Sequence, residues 1–359
     1  MASADEKPVM AKMPHPKMMY RFLGNSGLRV SVISLGGWLT HGGHTGDEAS
    51  YATMKAAYDG GVNFFDSAEG YAGGRAETLL GNAIKKFGWD RDHLVVSTKL
   101  YWGQHDDGSI GINDLGLSRK HILAGMRKSL KRLQMDFVDL IYAHRPDKYT
   151  PMEEVVRAFN HLISTGQALY WGTSEWSAEE IQDAWRIADK LNLIGPVMEQ
   201  PEYNMFKRDR VEAEYSELYR KHGLGLTIFS PLRRGILTGK YNGGKIPEGT
   251  RAHKEGSWFK DEILNGGDML KKVEKLTDIA AGLGELNGKP VTTGQLALAW
   301  TIKNEHVSSA IIGATSIAQI DENLAAVELV QNGVLTDAVM GEIEKILDNQ
   351  PKLVPKRYD

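Results

Sequence analysis

The chain has 359 residues, of which 42% are hydrophobic and 25% charged, a composition typical of a globular protein with a substantial core. Its 43 basic and 46 acidic side chains give a formal net charge of -3, which provides no overall attraction toward nucleic acid or anionic lipid. The chain contains no cysteine. This excludes disulfides, thiolate nucleophiles and iron–sulfur clusters, and we expect an intracellular, cytoplasmic protein.

The first predicted elements in chain order are a tail and a hairpin. Residues 1–19 contain several Lys and Pro but no apolar run long enough for a signal sequence or a membrane span. We predict a short disordered tail there, no membrane insertion, and a single domain over residues 20–359. Segments 20–23 and 28–30 flank the turn-prone stretch Asn25-Ser26-Gly27, which predicts a β-hairpin.

From residue 32 onward, short β-branched runs alternate with longer amphipathic stretches. This alternation predicts repeated strand–helix units and a parallel sheet. Eight such units favour a closed (β/α)₈ TIM barrel over an open doubly wound sheet, with the hairpin as a plug at the bottom of the barrel. The predicted strands are 32–35, 62–65, 94–98, 138–143, 168–173, 197–200, 225–229 and 309–312. The predicted helices are 47–58, 76–86, 118–132, 152–164, 178–190, 208–222, a region within 268–303, and 317–330.

Two connections, 101–117 and 230–267, are too long to be simple links, and long loops in a compact domain tend to be functional. No tandem repeat or Pro/Ser-rich linker interrupts the predicted domain.

In an α/β barrel the active site lies at the carboxyl ends of the strands. Polar residues at the ends of apolar runs are therefore the candidate catalytic residues. Three neighbouring predicted strands end in Asp66, Lys99 and His144, and Tyr71 follows Asp66 in the same loop. Each residue alone has an ordinary structural role, such as helix capping for Asp66. The placement of all four residues at the ends of three neighbouring strands and in the adjoining loop favours a catalytic site.

Reduction of a carbonyl by hydride requires a proton for the developing alkoxide. A phenol with a pKa near ~10 donates poorly unless its anion is stabilised. We expect Lys99 to lower the pKa of Tyr71, and Asp66 to keep Lys99 charged and oriented. His144 would position the substrate carbonyl, and a cofactor would supply the hydride.

At these residues the sequence resembles the aldo-keto reductase superfamily, and within it the branch that contains the β subunits of voltage-gated potassium channels. The resemblance runs from Tyr20 to about Val330, and it implies a catalytic tetrad of Asp66, Tyr71, Lys99 and His144. Channel β subunits have Asn at the position of His144, whereas ordinary reductases have His, which favours turnover here. The matching stretches are 64–71 (FFDSAEGY), 97–99 (STK), 116–122 (GLSRKHI), 144–147 (HRPD), 170–174 (YWGTS), 229–232 (FSPL) and 313–315 (GAT).

The resemblance also implies NADP(H) as the cofactor. An aromatic face suits a planar ring, paired donors and acceptors suit a carboxamide, and a helix N-terminus suits a phosphate. Glu175 departs from the Asn or Arg of relatives, and the sequence leaves its role open. On the nicotinamide side the corresponding residues are Trp38, Asp66, Ser174, Gln200, Phe229, Ser230, Pro231 and Leu232. On the side of the phosphates and adenine they are Lys240, Arg251, Gly313, Thr315, Gln319, Glu322 and Asn323, whereas Arg233 and Arg234 are expected to be solvated.

We expect a small carbonyl substrate, in a pocket walled by Trp38, Tyr101, Trp102 and His105. Relatives in this branch form tetramers or larger rings, so the resemblance implies a homo-tetramer or larger ring. Basic residues are not clustered with aromatic residues along any one helix, and we expect no nucleic-acid partner.

Three other interpretations stay open. The chain could be an NADPH-binding, redox-sensing β-type subunit of a potassium channel. Lys99 could form a Schiff base, although an aromatic platform and a basic loop would then have no purpose. His41 and His44, two glycines apart, could bind a metal, but they lack carboxylate or thiolate partners nearby in the sequence, and we expect no metal.

Overall fold

Eight parallel strands close into a barrel in the computed structural model, which describes residues 15–105, 107–254 and 257–352. This arrangement confirms the predicted (β/α)₈ fold. The barrel order is β3-β4-β5-β6-β7-β8-β9-β12, with β12 pairing back onto β3. In chain order the described strands are β1 (Tyr20–Phe22), β2 (Arg29–Ser31), β3 (Ile33–Gly36), β4 (Phe64–Asp66), β5 (Val95–Leu100), β6 (Val138–Ala143), β7 (Ala168–Ser174), β8 (Met198–Gln200), β9 (Gly225–Phe229), β10 (Glu285–Leu286), β11 (Lys289–Pro290) and β12 (Val307–Ile312).

Helices cover the outside of the barrel, and several of them begin with a side-chain cap. Ser177 and Glu180 form a capping box at the start of α5, and Ser118 caps α3. The described α-helices are α1 (Asp47–Asp59), α2 (Arg75–Phe87), α3 (Arg119–Leu133), α4 (Met152–Ser164), α5 (Ala178–Lys190), α6 (Ser216–His222), α7 (Arg251–Lys254), α8 (Ser257–Leu264), α9 (Gly267–Gly282), α10 (Thr293–Lys303), α11 (Ile317–Gln331) and α12 (Asp337–Leu347).

The barrel strands are apolar on both faces because one face lines the barrel interior and the other contacts helices. Every residue of β5 and β6 is buried. Inside the barrel, Leu140 and Tyr142 pack with Phe64 and Met198. A larger apolar cluster occupies the layer between strands and helices.

The predicted hairpin forms from β1 and β2, which pair antiparallel. Its Leu23 and Val30 are fully buried in the interior cluster of the barrel. Gly24 lies against the backbone of Gly223 and Gly225 at the amino end of β9, so close that a Cβ would be 2.3 Å from either. The hairpin therefore plugs the bottom of the barrel, as predicted.

Two predicted helical regions differ from the structure. Residues 208–222 form a π-helical turn, Arg210–Glu214, followed by α6, because the Tyr215 amide bonds the Arg210 carbonyl five residues earlier. This wider turn buries Tyr215, whose hydroxyl donates to the Trp176 carbonyl at 2.5 Å. The region 268–303 contains α9, the β10–β11 hairpin and α10, and the hairpin turn uses Asn287 and Gly288 at positive φ.

The long connection 230–267 is also more ordered than a loop, since it contains α7, α8 and 3₁₀ turns, and α12 follows the last predicted helix. The first 14 residues of the predicted tail lie outside the described residues, while Met18 packs into the outer core and Lys17 pairs with Glu328. Within the described parts of the chain, no helix combines the length and apolar character needed to cross a membrane.

Candidate active site

The ends of β4 and β5 bring Asp66, Lys99 and Tyr71 together at the carboxyl rim of the barrel. Strand register places Asp66 opposite Ser97, and Lys99 follows two residues later. The Lys99 ammonium lies 2.5 Å from Asp66 Oδ2 and 3.2 Å from the Tyr71 hydroxyl oxygen. The predicted carboxylate–ammonium–phenol chain is therefore in direct contact.

This ion pair is enclosed, since Lys99 is 0% and Asp66 is 4% exposed. A buried pair is tolerated when its remaining hydrogen-bonding capacity is used. Lys99 also donates to the Ser67 carbonyl at 2.8 Å, and Asp66 Oδ1 accepts from Ser97 Oγ at 2.7 Å and Gln200 Nε2 at 3.2 Å. These contacts fix the ammonium in one position beneath the phenol.

Tyr71 begins a 3₁₀ turn, Tyr71–Gly74, in which Ala72 has φ 48° and Gly73 has φ 65°. This left-handed backbone is unusual for Ala and directs the chain sharply into α2. Burial raises the pKa of the Tyr71 phenol, and the charge of Lys99 lowers it in opposition. The pKa of Tyr71 is raised overall. Lys99 lowers this pKa as predicted, but its effect is smaller than that of burial.

His144 directly follows β6 and is nearly buried, at 6% exposure. Its amide donates to the Leu100 carbonyl at 3.1 Å, and its ring lies edge-on to Tyr71 with centroids 5.7 Å apart. Burial, together with the charges of Lys99 and Arg145, lowers the pKa of the imidazole well below its ordinary value. At neutral pH the ring is therefore uncharged and can donate one hydrogen bond and accept another.

The predicted pocket residues separate into two groups. Trp102, 42% exposed, packs edge-on against His144, with ring centroids 4.7 Å apart, and Tyr101 packs edge-on against Trp102 at 5.0 Å, so Trp102 contacts the tetrad and Tyr101 lies behind it. The half-exposed His105 instead pairs with Asp114 at 3.0 Å. Trp38 lies under the guanidinium of Arg251, 4.8 Å from its ring centroid.

Ser174 and Gln200 end neighbouring strands and are both buried. Ser174 Oγ donates to the Gln200 carbonyl at 2.9 Å, and the Gln200 amide reaches Asp66. Glu175, which follows Ser174, has a positive φ of 60° and accepts a hydrogen bond from the Glu202 amide at 2.7 Å. Glu175 thus supports the loop between β7 and α5.

Phe229 ends β9 with its ring half-buried, and the chain then turns through Ser230, which has φ 54°. The Ser230 carbonyl accepts from Asn204 Nδ2 at 3.1 Å, Pro231 is buried, and Leu232 is half-buried against the outer core. The predicted platform and the three residues after it therefore form one continuous turn at the rim.

Lys240 and Arg251 approach each other in the long connection after β9. Lys240 is exposed as a residue, but partial burial of its ammonium and the charge of Arg251 lower its pKa, while Glu322 opposes this shift. The predicted solvation of Arg233 and Arg234 is wrong, because both guanidinium groups pair with Glu262, at 2.9 and 3.2 Å.

The start of α11 contains the remaining predicted contacts. Gln319 Oε1 accepts from the Thr315 amide at 2.8 Å, next to the exposed Gly313. Glu322 accepts from Thr292 Oγ1 at 2.8 Å, whereas Asn323 is buried at 8% exposure. These residues lie at and just after the junction between β12 and α11.

His41 is buried in the loop after β3, and burial lowers its pKa to about 4, with Nε2 lacking a hydrogen-bond partner among the described residues. His44 is only partly buried. Over residues 15–105, 107–254 and 257–352, no three His, Cys, Asp or Glu side chains are grouped to hold a metal ion.

Sequence reasoning missed two features beside the tetrad. Glu69 Oε1 accepts from the Tyr101 amide at 2.7 Å and lies 2.8 Å from His121 Nε2, and both members of the pair are buried. Arg145 donates to Ser174 Oγ at 3.1 Å and to the His144 carbonyl. Glu69 and Arg145 were visible inside the matching stretches, but nothing in their spacing indicated these partners.

Comparison with known proteins agrees with this geometry. The model of the aldo/keto reductase family matches residues 32–348. A "Probable voltage-gated potassium channel subunit beta" from Arabidopsis thaliana is 50% identical over 341 residues, which cover 95% of this chain and 100% of the relative. A protein of the same description from Oryza sativa subsp. japonica is 50% identical over 335 residues, covering 93% and 98%.

Proposed function

This chain belongs to the aldo/keto reductase family, and from that premise we propose that it is an NADPH-dependent reductase that converts small aldehydes or ketones to alcohols, with Tyr71 as the proton donor. The observation that carries the proposal is the enclosed chain from Asp66 through Lys99 to the Tyr71 hydroxyl. A phenol held 3.2 Å from a buried ammonium is arranged to release a proton and leave an anion beside a positive charge.

Each tetrad residue has a separate task in this proposal. Lys99 stabilises the Tyr71 phenolate that remains when the proton leaves. Asp66 keeps the ammonium charged and, with the Ser67 carbonyl, oriented. The uncharged His144 donates a hydrogen bond to the substrate oxygen, which aligns the carbonyl with the phenol.

The residues at the rim fit a pyridine nucleotide. The buried polar atoms of Ser174 and Gln200 suit a carboxamide, and the Phe229 ring suits a flat aromatic ring. The positive charges of Lys240 and Arg251 repel each other, and a phosphate bound between them would offset that repulsion. When bound, NADPH supplies the hydride; the protein supplies the proton, the alignment and the exclusion of water.

The test follows the loss of NADPH absorbance against a panel of aldehydes, ketones and quinones, with the parent and a Tyr71→Phe variant. We expect turnover by the parent and a loss of ~10²-fold or more in the variant, with nucleotide affinity retained, because only the proton donor is removed. A variant that reduces carbonyl compounds at the parent rate would refute the role of Tyr71.

A second candidate function is association with a potassium channel, and the names of the two relatives favour it. In that case the bound nucleotide would report redox state, and the assembly would be a homo-tetramer or larger ring in the cytoplasm. His144 argues for turnover instead, because ordinary reductases of the superfamily have His at this position, whereas channel β subunits have Asn. Light scattering of the purified protein tests the ring, and co-purification with a voltage-gated potassium channel tests the association.

A further inference from the structure

Arg145 carries a positive charge at the mouth of the proposed site, and no carboxylate in the described part of the chain pairs with it. Among the described residues no Asp or Glu oxygen lies within ion-pairing distance of its guanidinium, although the side chain is half-buried. Lys99, the cation of the proposed tetrad, is neutralised by Asp66 at 2.5 Å. Arg145 therefore adds an unbalanced positive charge beside His144 and Trp102.

The guanidinium is held in place by one of its edges. Its Nη1 donates to the His144 carbonyl and to Ser174 Oγ at 3.1 Å, and its carbon lies 5.3 Å from the centroid of the Trp102 ring. The stacking and the two hydrogen bonds restrict its motion. A preorganised cation of this kind binds an anion without first losing much conformational freedom.

The other edge of the guanidinium is open. Its Nε and Nη2 atoms donate no hydrogen bond to the described residues, and neither atom is enclosed. A pair of adjacent N–H groups on an arginine matches the two oxygens of a carboxylate.

The same indole links this open edge to the reacting groups. Trp102 contacts the His144 ring at 4.7 Å on one side and Arg145 on the other. The charge of Arg145 also acts on both Tyr71 and His144, since it lowers the pKa of each. A substrate whose carbonyl lies between Tyr71 and His144 can thus extend a second group along Trp102 toward the guanidinium.

The acidic residue nearest to Arg145 in the sequence already has other hydrogen-bond partners. Asp147, two residues further along, accepts from the Leu117 amide at 2.7 Å, the Tyr149 amide at 2.9 Å and the Thr150 hydroxyl at 2.6 Å. These donors hold its carboxylate in the loop, beyond ion-pairing distance of Arg145.

From this arrangement we propose that the site selects carbonyl compounds that carry a carboxylate, and that Arg145 is the residue that binds this anionic group. The proposal rests on the proposed reductase function and adds the class of substrate. The proposed substrates are aldehydes or ketones with a negatively charged group a few atoms from the carbonyl.

The test uses two aldehydes of nearly the same size and shape that differ in charge, 4-formylbenzamide and 4-formylbenzoate, with NADPH in excess. We expect the parent to have a kcat/KM about tenfold or more higher for 4-formylbenzoate, since charge-assisted hydrogen bonds discriminate by that order. Arg145→Met should remove most of this ratio, Arg145→Lys should keep part of it, and raised salt should reduce it in the parent. Arg157→Met, which removes the same charge from the exposed face of α4, is the matched control and should keep the ratio.

Equal losses for both aldehydes in Arg145→Met would overturn the proposal, because Arg145 would then act only through His144 and Ser174. A parent that reduces neither aldehyde would contradict the reductase function itself. In that event titration of benzoate against benzamide by ligand-observed NMR decides the anion site. Benzoate binding that disappears in Arg145→Met supports the site, and benzoate binding that is absent from the parent or unchanged in the variant refutes it.

Discussion

The ammonium of Lys99 lies 3.2 Å from the hydroxyl oxygen of Tyr71, with no exposed surface of its own. The two groups are coupled, because the charge of Lys99 opposes the increase in pKa that burial imposes on the phenol. Removing the charge would leave burial and the Asp66 carboxylate to raise the pKa of Tyr71, opposed only by the smaller effect of Arg145.

Lys99→Met should therefore lower kcat for carbonyl reduction by ~10²-fold or more, as an untuned buried phenol donates poorly at neutral pH. It should also destabilise the fold by about 3–5 kcal/mol, because Asp66 would remain buried without its counterion. Chemical denaturation and steady-state kinetics measure the two effects. Lys86→Met is the matched control, since Lys86 pairs with Glu48 on the surface and its loss should change neither quantity much.

A Lys99→Met variant that folds with parental stability yet still loses activity would contradict the expected loss of stability and support the expected loss of proton donation. The catalytic role of Lys99 would then be separated from its structural role.

The pH dependence of turnover should be set by Tyr71 and should not show the titration of His144. The pKa of Tyr71 is raised, so the phenol stays protonated and able to donate through neutral and moderately basic pH. The pKa of His144 is well below its ordinary value, so its ring stays uncharged over the same range. We expect kcat/KM to be flat from about pH 6.5 to 9 and to decline only at higher pH. A step near pH 6.5 that disappears in His144→Asn would contradict this.

The sequence predicted the barrel well because each strand and helix is marked by local chemistry. Apolar β-branched runs such as β6 are buried on both faces, and Ser or Thr caps begin several helices. The strand ends then place Asp66, Lys99 and His144 on one rim. This follows from topology alone, so the tetrad needed no knowledge of side-chain conformations.

What the sequence did not predict depends on contacts between distant segments. The π-helical turn at 210–214 arises where Tyr215 reaches the Trp176 carbonyl, and nothing local marks it. The Glu69–His121 pair joins the loop after β4 to α3, 52 residues apart. The direction of the Tyr71 pKa shift likewise depends on the balance between burial and nearby charges. The extent of burial is known only from the three-dimensional structure.

The Glu69–His121 pair should position the substrate-side wall of the pocket. Glu69 Oε1 holds the Tyr101 amide, and a Cβ on Gly103 would lie only 2.5 Å from His121 Cε1, so the pair packs directly beneath the segment that carries Trp102. We expect Glu69→Ala to raise the KM for carbonyl substrates several-fold, with little change in nucleotide affinity. Glu69→Gln keeps an acceptor for the Tyr101 amide and should restore most of the loss. Equal changes in both variants would show that the charge, and not the hydrogen bond, is important.

His41 should make the fold sensitive to acid. Its pKa is lowered from 6.5 to about 4 by burial, whereas in the unfolded chain it titrates near 6.5. The unfolded state therefore binds more protons between these values, and the free energy of unfolding falls as pH decreases from about 6.5 to 4, by up to about 3 kcal/mol. His41→Phe should flatten this part of the pH–stability curve measured by urea denaturation.

Lys240 and Arg251 should together set the choice of nucleotide. We expect NADPH to bind at least tenfold more tightly than NADH, because Lys240 and Arg251 can both meet a 2′-phosphate that NADH lacks. Lys240 is the cleaner probe, since Arg251 also packs on Trp38 at 4.8 Å and on Phe259 at 5.8 Å.

Lys240→Met should therefore weaken NADPH binding by about tenfold and NADH binding little, whereas Arg251→Met should weaken both, because it removes the phosphate contact together with the stacking that ties the long connection to Trp38. Raised salt should reduce the preference of the parent, because part of the attraction is screened. Titration of both nucleotides by quenching of intrinsic fluorescence gives two dissociation constants for the parent and two for each variant. Arg234→Met is the control, since Arg234 is already paired with Glu262 at 3.2 Å and should not affect the preference. Equal losses for NADPH and NADH in Lys240→Met would mean that Lys240 stabilises the loop and that the 2′-phosphate is recognised elsewhere on the rim.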